Sequence, residues 1–228
     1  VSTGGGWSYL WYYAFFFFAS YALRYPPLLI GVVLCFVFRR FIPDPWMLLR
    51  TLGRISELSR QVAANPANVT ARRDIAMIYL QQRRPGAALA RIDEALARFP
   101  DDAELLYLKG LAHHMRGEHE LATKPLVAAV TADPRLRFGE PYLIAGDCLL
   151  ALGKHEEAID AYERFLAING SSVEGHVKKA RAHARADEKA EAKKELDEAL
   201  RTWGAIPGFQ RRRQVGWWLR ALLARLVA

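Results

Sequence analysis

Cysteine is almost missing from this chain of 228 residues, and so is every familiar motif of catalysis. Cys35 and Cys148 have no CxxC neighbour, so neither a metal knuckle nor a redox pair is indicated, and both read as packing residues. No glycine-rich phosphate loop, G-x-S-x-G turn or H-E-x-x-H helix occurs. His113 and His114 are adjacent, while His176 and His183 stand seven apart on one helix, too far for the close spacing a metal pair needs. Asp101 and Asp102, Glu156 and Glu157, and Glu188, Glu191 and Glu195 read as caps and solvated helix faces. The expectation is a non-enzyme without cofactor, metal or small-molecule substrate.

Charge is missing in informative places. Residues 1–23 carry no charged side chain. The formal net charge of +8 has no home in the middle of the chain, where residues 67–206 hold twenty-one basic against twenty-two acidic residues. The excess sits at the ends: six arginines against two acids in residues 1–66, and five arginines against none in residues 207–228. A nucleic-acid binder needs a basic stripe along its binding face, which this distribution does not supply. Basic residues beside apolar segments are the pattern of membrane-flanking charge.

What is present is a period. Thirty-four residues separate Ala88 from Ala122, Ala158 from Ala192, Ala95 from Ala129 and Pro100 from Pro134. Intervals of that length mark stacked helix-turn-helix units. In register the units are 69–102, 103–136, 139–172 and 173–206, with Arg137 and Phe138 inserted. The eighth place is small (Ala76, Gly110, Gly146, Ala180), the twentieth is always alanine, and the twenty-fourth is larger (Ile92, Leu126, Tyr162, Leu196). Small residues at places eight and twenty let the two helices of a unit approach, and the larger side chain fills the groove. One unit cannot bury its apolar face alone, so the units must stack.

The pattern resembles the tetratricopeptide repeat family over residues 69–206. The small eighth place, Tyr79 at the eleventh, the four alanines at the twentieth, and Ala95, Ala129 and Ala199 at the twenty-seventh carry the resemblance, with Pro100 and Pro134 closing two units. Leu150–Leu166, "LALGKHEEAIDAYERFL", is the stretch nearest the family wording. Phe165 at the twenty-seventh place, and Gly170 and Gly204 where prolines would close, depart from it. Pro125, inside the second helix of its unit, should kink that helix. Residues 43–68 form a linking and capping helix, Trp46 to Asn65, stopped by Asn65-Pro66.

The resemblance implies a right-handed all-α solenoid whose first helices line an inner groove through places two, five, nine and twelve. On that mapping the partner-binding candidates are Arg73, Met77, Tyr107, Leu111, His114, Leu143, Lys178 and Arg181. The asparagines with which relatives grip chaperone C-termini are absent. The apolar centre suits a helix or extended segment with apolar anchors.

The start of the chain is aromatic and apolar. Trp7 to Leu23 is a run of seventeen residues, including Trp7, Trp11 and Phe15, Phe16, Phe17 and Phe18, and it ends at Arg24. At 1.5 Å per residue such a helix is about 25 Å long, near the lower limit for crossing a bilayer. A second run, Pro26 to Phe38, precedes Arg39 and Arg40. The expectation for residues 1–42 is a transmembrane helical hairpin. One span with a re-entrant segment, and a buried soluble hairpin, are the alternatives. Arg39 and Arg40 beside the second run place the repeats on the cytoplasmic side of a bacterial-type inner membrane.

From 207 onward a basic amphipathic helix carries Val215, Trp218, Leu219, Leu222, Leu223 and Leu226 on one face. It reads either as the cap a solenoid requires or as an interfacial helix, with Trp218 as a membrane contact. Taken together the chain reads as a membrane-anchored scaffold that binds a protein partner in or at the membrane. An intrinsic structural subunit packed between membrane helices, and a periplasmic assembly factor like the repeat proteins of cytochrome c maturation, are the other classes.

Overall fold

The computed structural model describes Tyr13 and residues 45–227. The expected hairpin of residues 1–42, with Trp7, Trp11, Phe15 to Phe18, Arg39 and Arg40, lies outside the described residues. Among the described residues there is no strand, and no helix is long and apolar enough to cross a membrane.

Among the described residues from 45 onward ten helices follow one another: α1 (Pro45–Ala64), α2 (Val69–Gln81), α3 (Pro85–Leu96), α4 (Ala103–Met115), α5 (His119–Ala132), α6 (Glu140–Ala151), α7 (His155–Ile168), α8 (Val173–Arg185), α9 (Lys189–Ala205) and α10 (Gly208–Val227). A short 3-10 turn, Leu136–Gly139, precedes α6. From α2 to α9 the helices pair as α2/α3, α4/α5, α6/α7 and α8/α9, and each pair packs on the next. The described repeats form an all-helical, tetratricopeptide-like solenoid.

The register explains how each pair closes. A Cβ placed on Gly110 would stand 2.4 Å from Leu126 Cγ, and one on Gly146 would stand 2.5 Å from Tyr162 Cε1. The small eighth place is therefore the space into which the twenty-fourth side chain fits. Ile92, Leu126 and Tyr162 are fully buried there. The turn inside each pair is also common to all four units. The fifteenth residue has positive φ in every case: Arg83, Gly117, Gly153 and Asp187. The following N–H then donates back to the eleventh carbonyl, as in Arg84 to Tyr79, Glu118 to His113, Lys154 to Leu149 and Glu188 to His183. This 6→1 bond, closing over a left-handed residue, is the Schellman ending of a helix. Between units, Asn68, Asp102 and Ser172 side chains accept from backbone N–H groups of the next first turn.

Departures from the pattern have local compensations. Phe165 stands where the other units hold alanine, and Gly175 makes room for it, since a Cβ there would lie 2.8 Å from Phe165 Cε1. Pro125 does not end its helix: α5 continues from His119 to Ala132, with Pro125 buried. The insertion Arg137-Phe138 turns through left-handed φ at both residues and at Gly139.

α1 packs Leu58, with Ile55 and Val62, on Ala71, Ile75 and Ile78 of α2, and Thr51 Oγ1 accepts from Gln82 Nε2 at 2.6 Å. At the other end α10 closes the solenoid. Ala221 is fully buried, Trp218 stacks on Trp203 with centroids 5.5 Å apart, and Arg225 pairs with Asp197 at 2.7 Å. The Gln214 side chain caps α8, accepting from Val173 N at 2.7 Å. The buried side of α10 is thus the one bearing Gln214, Trp217, Trp218 and Ala221, where alanine permits close approach. Most of the apolar face expected from the sequence is left outside: Val215, Leu219, Leu222, Leu223 and Leu226 are exposed. Trp218 serves the cap, and Trp217 is partly buried as well.

Candidate functional site

Most of the inner face is occupied by its own residues. Arg73 is bound through Nε and Nη2 to Asp102, the residue that also caps α4. Met77 and Leu111 are half-buried against the core of the first repeats. Tyr107 is only 1% exposed. The inserted Arg137 covers its ring, guanidinium 4.9 Å from the centroid, while donating from Nε to Glu104 at 2.8 Å. Burial pushes the Tyr107 phenol far above its ordinary range. Leu143 is buried too. Tyr107 and Leu143, both among the partner-binding candidates, are buried in this structure under the insertion and the adjacent repeat.

The face opens at its C-terminal end. A cavity of about 530 Å³ lies between α6, α8 and α10, with Tyr162 of α7 and Leu196 of α9 in its floor. Leu150, Val177 and Ala184 occupy inner-face places of the third and fourth repeats, and Trp217, Arg220 and Ala224 come from α10. The lining is apolar with a basic edge. Lys178 is held by Asp147 at 2.7 Å and Glu174 at 2.8 Å, and its Nζ lies 5.5 Å from the Trp217 centroid. The Arg220 guanidinium stacks over the same ring at 4.3 Å. Among the described residues no carboxylate pairs with Arg181 or Arg220, and both are exposed. Asp147 is fixed from two sides, accepting from Tyr162 Oη at 2.8 Å as well as from Lys178. Burial, reinforced by Asp147, drives the Tyr162 phenol far upward.

Of the expected site residues the cavity gathers Lys178 and Arg181. It does not gather Arg73, Met77, Tyr107, Leu111, His114 or Leu143. Leu150 and Val177 were legible as inner-face places. Trp217 and Arg220 were not, because the helical face read from the sequence put Trp218 and the leucines inward.

Linear spacing offered no metal-ligand set, and stacking brings one group of candidate ligands together. His114, His119 and Cys148 each bring one ligand atom to within 4.8 Å of the others. They come from α4, α5 and α6, so their proximity is a product of stacking and invisible in linear spacing. Burial lowers the His114 pKa and pushes the Cys148 thiol up to about 12.

Comparison with known proteins agrees with this architecture. Residues 73–136 and 139–172 match tetratricopeptide repeat family models. The chain carries tetratricopeptide repeats. The pair α8/α9 and the first four residues of α2 fall outside those matches and enter through the fold. A TPR repeat-containing protein of Methanocaldococcus jannaschii is 40% identical over 76 residues, which is 33% of this chain and 13% of that protein. The chain thus spans a small part of the curated relative it matches. Among solved structures, a crystal structure of MamA protein superimposes with TM-score 0.61 at 24% identity, covering 67% of this chain and 85% of that one. MamA 41-end from Desulfovibrio magneticus RS-1 gives TM-score 0.61 at 16% identity, over 73% of this chain and 93% of that one. These likenesses describe the fold.

Proposed function

We propose that this chain is a membrane-anchored tetratricopeptide scaffold that holds a protein partner through the cavity between the third repeat, the fourth repeat and α10. The observation that carries the reading is the pairing of an apolar floor (Leu150, Val177, Leu196, Trp217) with two guanidinium groups, Arg181 and Arg220, that no carboxylate of the described residues neutralises. A segment offering one apolar side chain and a nearby carboxylate fits both halves. Apolar anchors supply affinity in such grooves, and charge at the rim supplies selectivity and on-rate. The anchor is the aromatic start, in contact with the lipid bilayer through Trp7, Trp11 and Phe15 to Phe18. Arg39 and Arg40 set the repeats on the cytoplasmic side.

Purification of the full chain in mild detergent, wild type against Val177→Asp/Arg181→Glu, tests the site. Co-eluting partner should fall at least tenfold with the double variant while circular dichroism stays helical. Equal recovery from the folded variant contradicts the cavity as the docking site and leaves a structural subunit packed through its apolar start. Protease added to intact cells should spare the repeats. Digestion without lysis would reverse the orientation and favour a periplasmic assembly factor.

A further inference from the structure

We infer that His114, His119 and Cys148 form a binding site for a borderline-soft divalent cation, zinc foremost. His114 stands in the last turn of α4, His119 is the first residue of α5, and Cys148 lies in the middle of α6. Their ligand atoms all fall within 4.8 Å of one another, and His114 Nδ1 is 3.3 Å from Cys148 Sγ. Tetrahedral zinc, with Zn–N of about 2.0–2.1 Å and Zn–S of about 2.3 Å, sets nitrogen and sulfur roughly 3.5 Å apart. The pair is therefore within a few tenths of an ångström of ligand geometry. The two imidazole rings lie with centroids 5.6 Å apart and planes tilted by 57°, so they are neighbours without being stacked.

A second observation points the same way. His119 Nδ1 is buried with no hydrogen-bond partner. Buried polar atoms are satisfied in the great majority of cases, and a nitrogen with none suits metal ligation. Two imidazoles and one thiol are a donor set for zinc rather than for magnesium or calcium, which prefer oxygen. Three protein ligands leave the fourth tetrahedral position to water. On binding, the Cys148 S–H bond breaks, the proton leaves to solvent and the thiolate electron pair forms the metal–sulfur bond. The ion would join α4, α5 and α6, and so staple the second repeat to the third.

The test uses the full chain in mild detergent, without a histidine tag and stripped of metal, titrated with cobalt(II) as a spectroscopic stand-in for zinc. One equivalent should produce a thiolate-to-cobalt charge-transfer band in the near ultraviolet, bleached when zinc is added. Cys148→Ser should abolish the band, and His119→Ala should weaken cobalt binding at least tenfold. Cys35→Ser and His176→Ala should leave it unchanged. Zinc should raise the melting temperature of the wild type and not that of His119→Ala. No charge-transfer band from the folded chain, or a band that survives Cys148→Ser, overturns the site. If Cys148→Ser does not fold, undiminished cobalt binding by His119→Ala overturns it equally.

Discussion

The two ends of the inner face differ in what they leave open. In the first two repeats the face is closed by the protein itself: Asp102 takes Arg73, and Arg137 lies over Tyr107. Beneath it runs a continuous apolar core from Ala76 and Ile92 through Leu126 to Cys148. In the fourth repeat the apolar core shrinks to Val173, Ala180, Leu196, Ala199 and Ile206, completed by Ala221 of α10. Ionic contacts occupy the space that apolar packing vacates. Glu195 accepts from His176 at 2.8 Å and pairs with Lys179 at 2.9 Å, and Lys179 reaches Glu163 at 2.8 Å. The open end of the groove is thus the end held by charge and by the terminal helix. A binding surface there needs no displacement of core side chains, which a surface at Tyr107 would.

Substitutions on each side sharpen this contrast. The largest effect should come from Leu126→Ala, which empties a fully buried position of the apolar half. A loss of about 3 kcal/mol in urea unfolding is expected, nearly independent of salt. A loss that shrinks strongly at high salt would break the contrast.

Glu195→Gln in the charged half should cost about 2 kcal/mol at neutral pH, in the range for hydrogen bonds to charged groups. Although burial raises its pKa, the hydrogen bonds from His176 and Lys179 hold the Glu195 carboxyl at about 2, below its ordinary 4.5. A depressed carboxylate contributes stability that is complete above its unfolded pKa and lost as pH falls through the folded one. The difference between wild type and Glu195→Gln should therefore shrink from about pH 4.5 down towards pH 2. Chemical denaturation across that range checks it, and a difference constant with pH would contradict the role given to Glu195.

Two smaller effects complete the series. Arg137→Ala uncovers Tyr107 and should cost about 1 kcal/mol or less, because its ion pairs with Glu104 and Glu140 are partly exposed. Urea unfolding against the wild type checks it, and a loss as large as that of Leu126→Ala would break the contrast. Gly153→Ala places a methyl group at φ +76° in open space, so only backbone strain is at issue. About 1 kcal/mol of destabilisation is expected by thermal melting.

The repeat register was legible because period and residue size are local properties. The alanines at place twenty and the small eighth places predict the helix pairs, and the Cβ clashes at Gly110 and Gly146 explain them. The inner face was legible only as a list of places. Which of them stay open depends on Arg137, a residue of the insertion that no repeat position predicts, and on the rotation of α10. That rotation puts Ala221, and not the longer leucine stripe, against the fourth repeat. The His114, His119 and Cys148 cluster joins three helices, so linear spacing carried no sign of it. Gly175 was equally silent until Phe165 was seen against it.

Photo-crosslinking compares the two ends of the groove in one experiment. A photoreactive amino acid is introduced singly at Met77, Leu111 and Val177 of the full chain in its native membranes, and adducts are read by their shift in mass. The account predicts a discrete partner adduct from position 177 and none from positions 77 and 111. Adducts from 77 and 111 with none from 177 would contradict it.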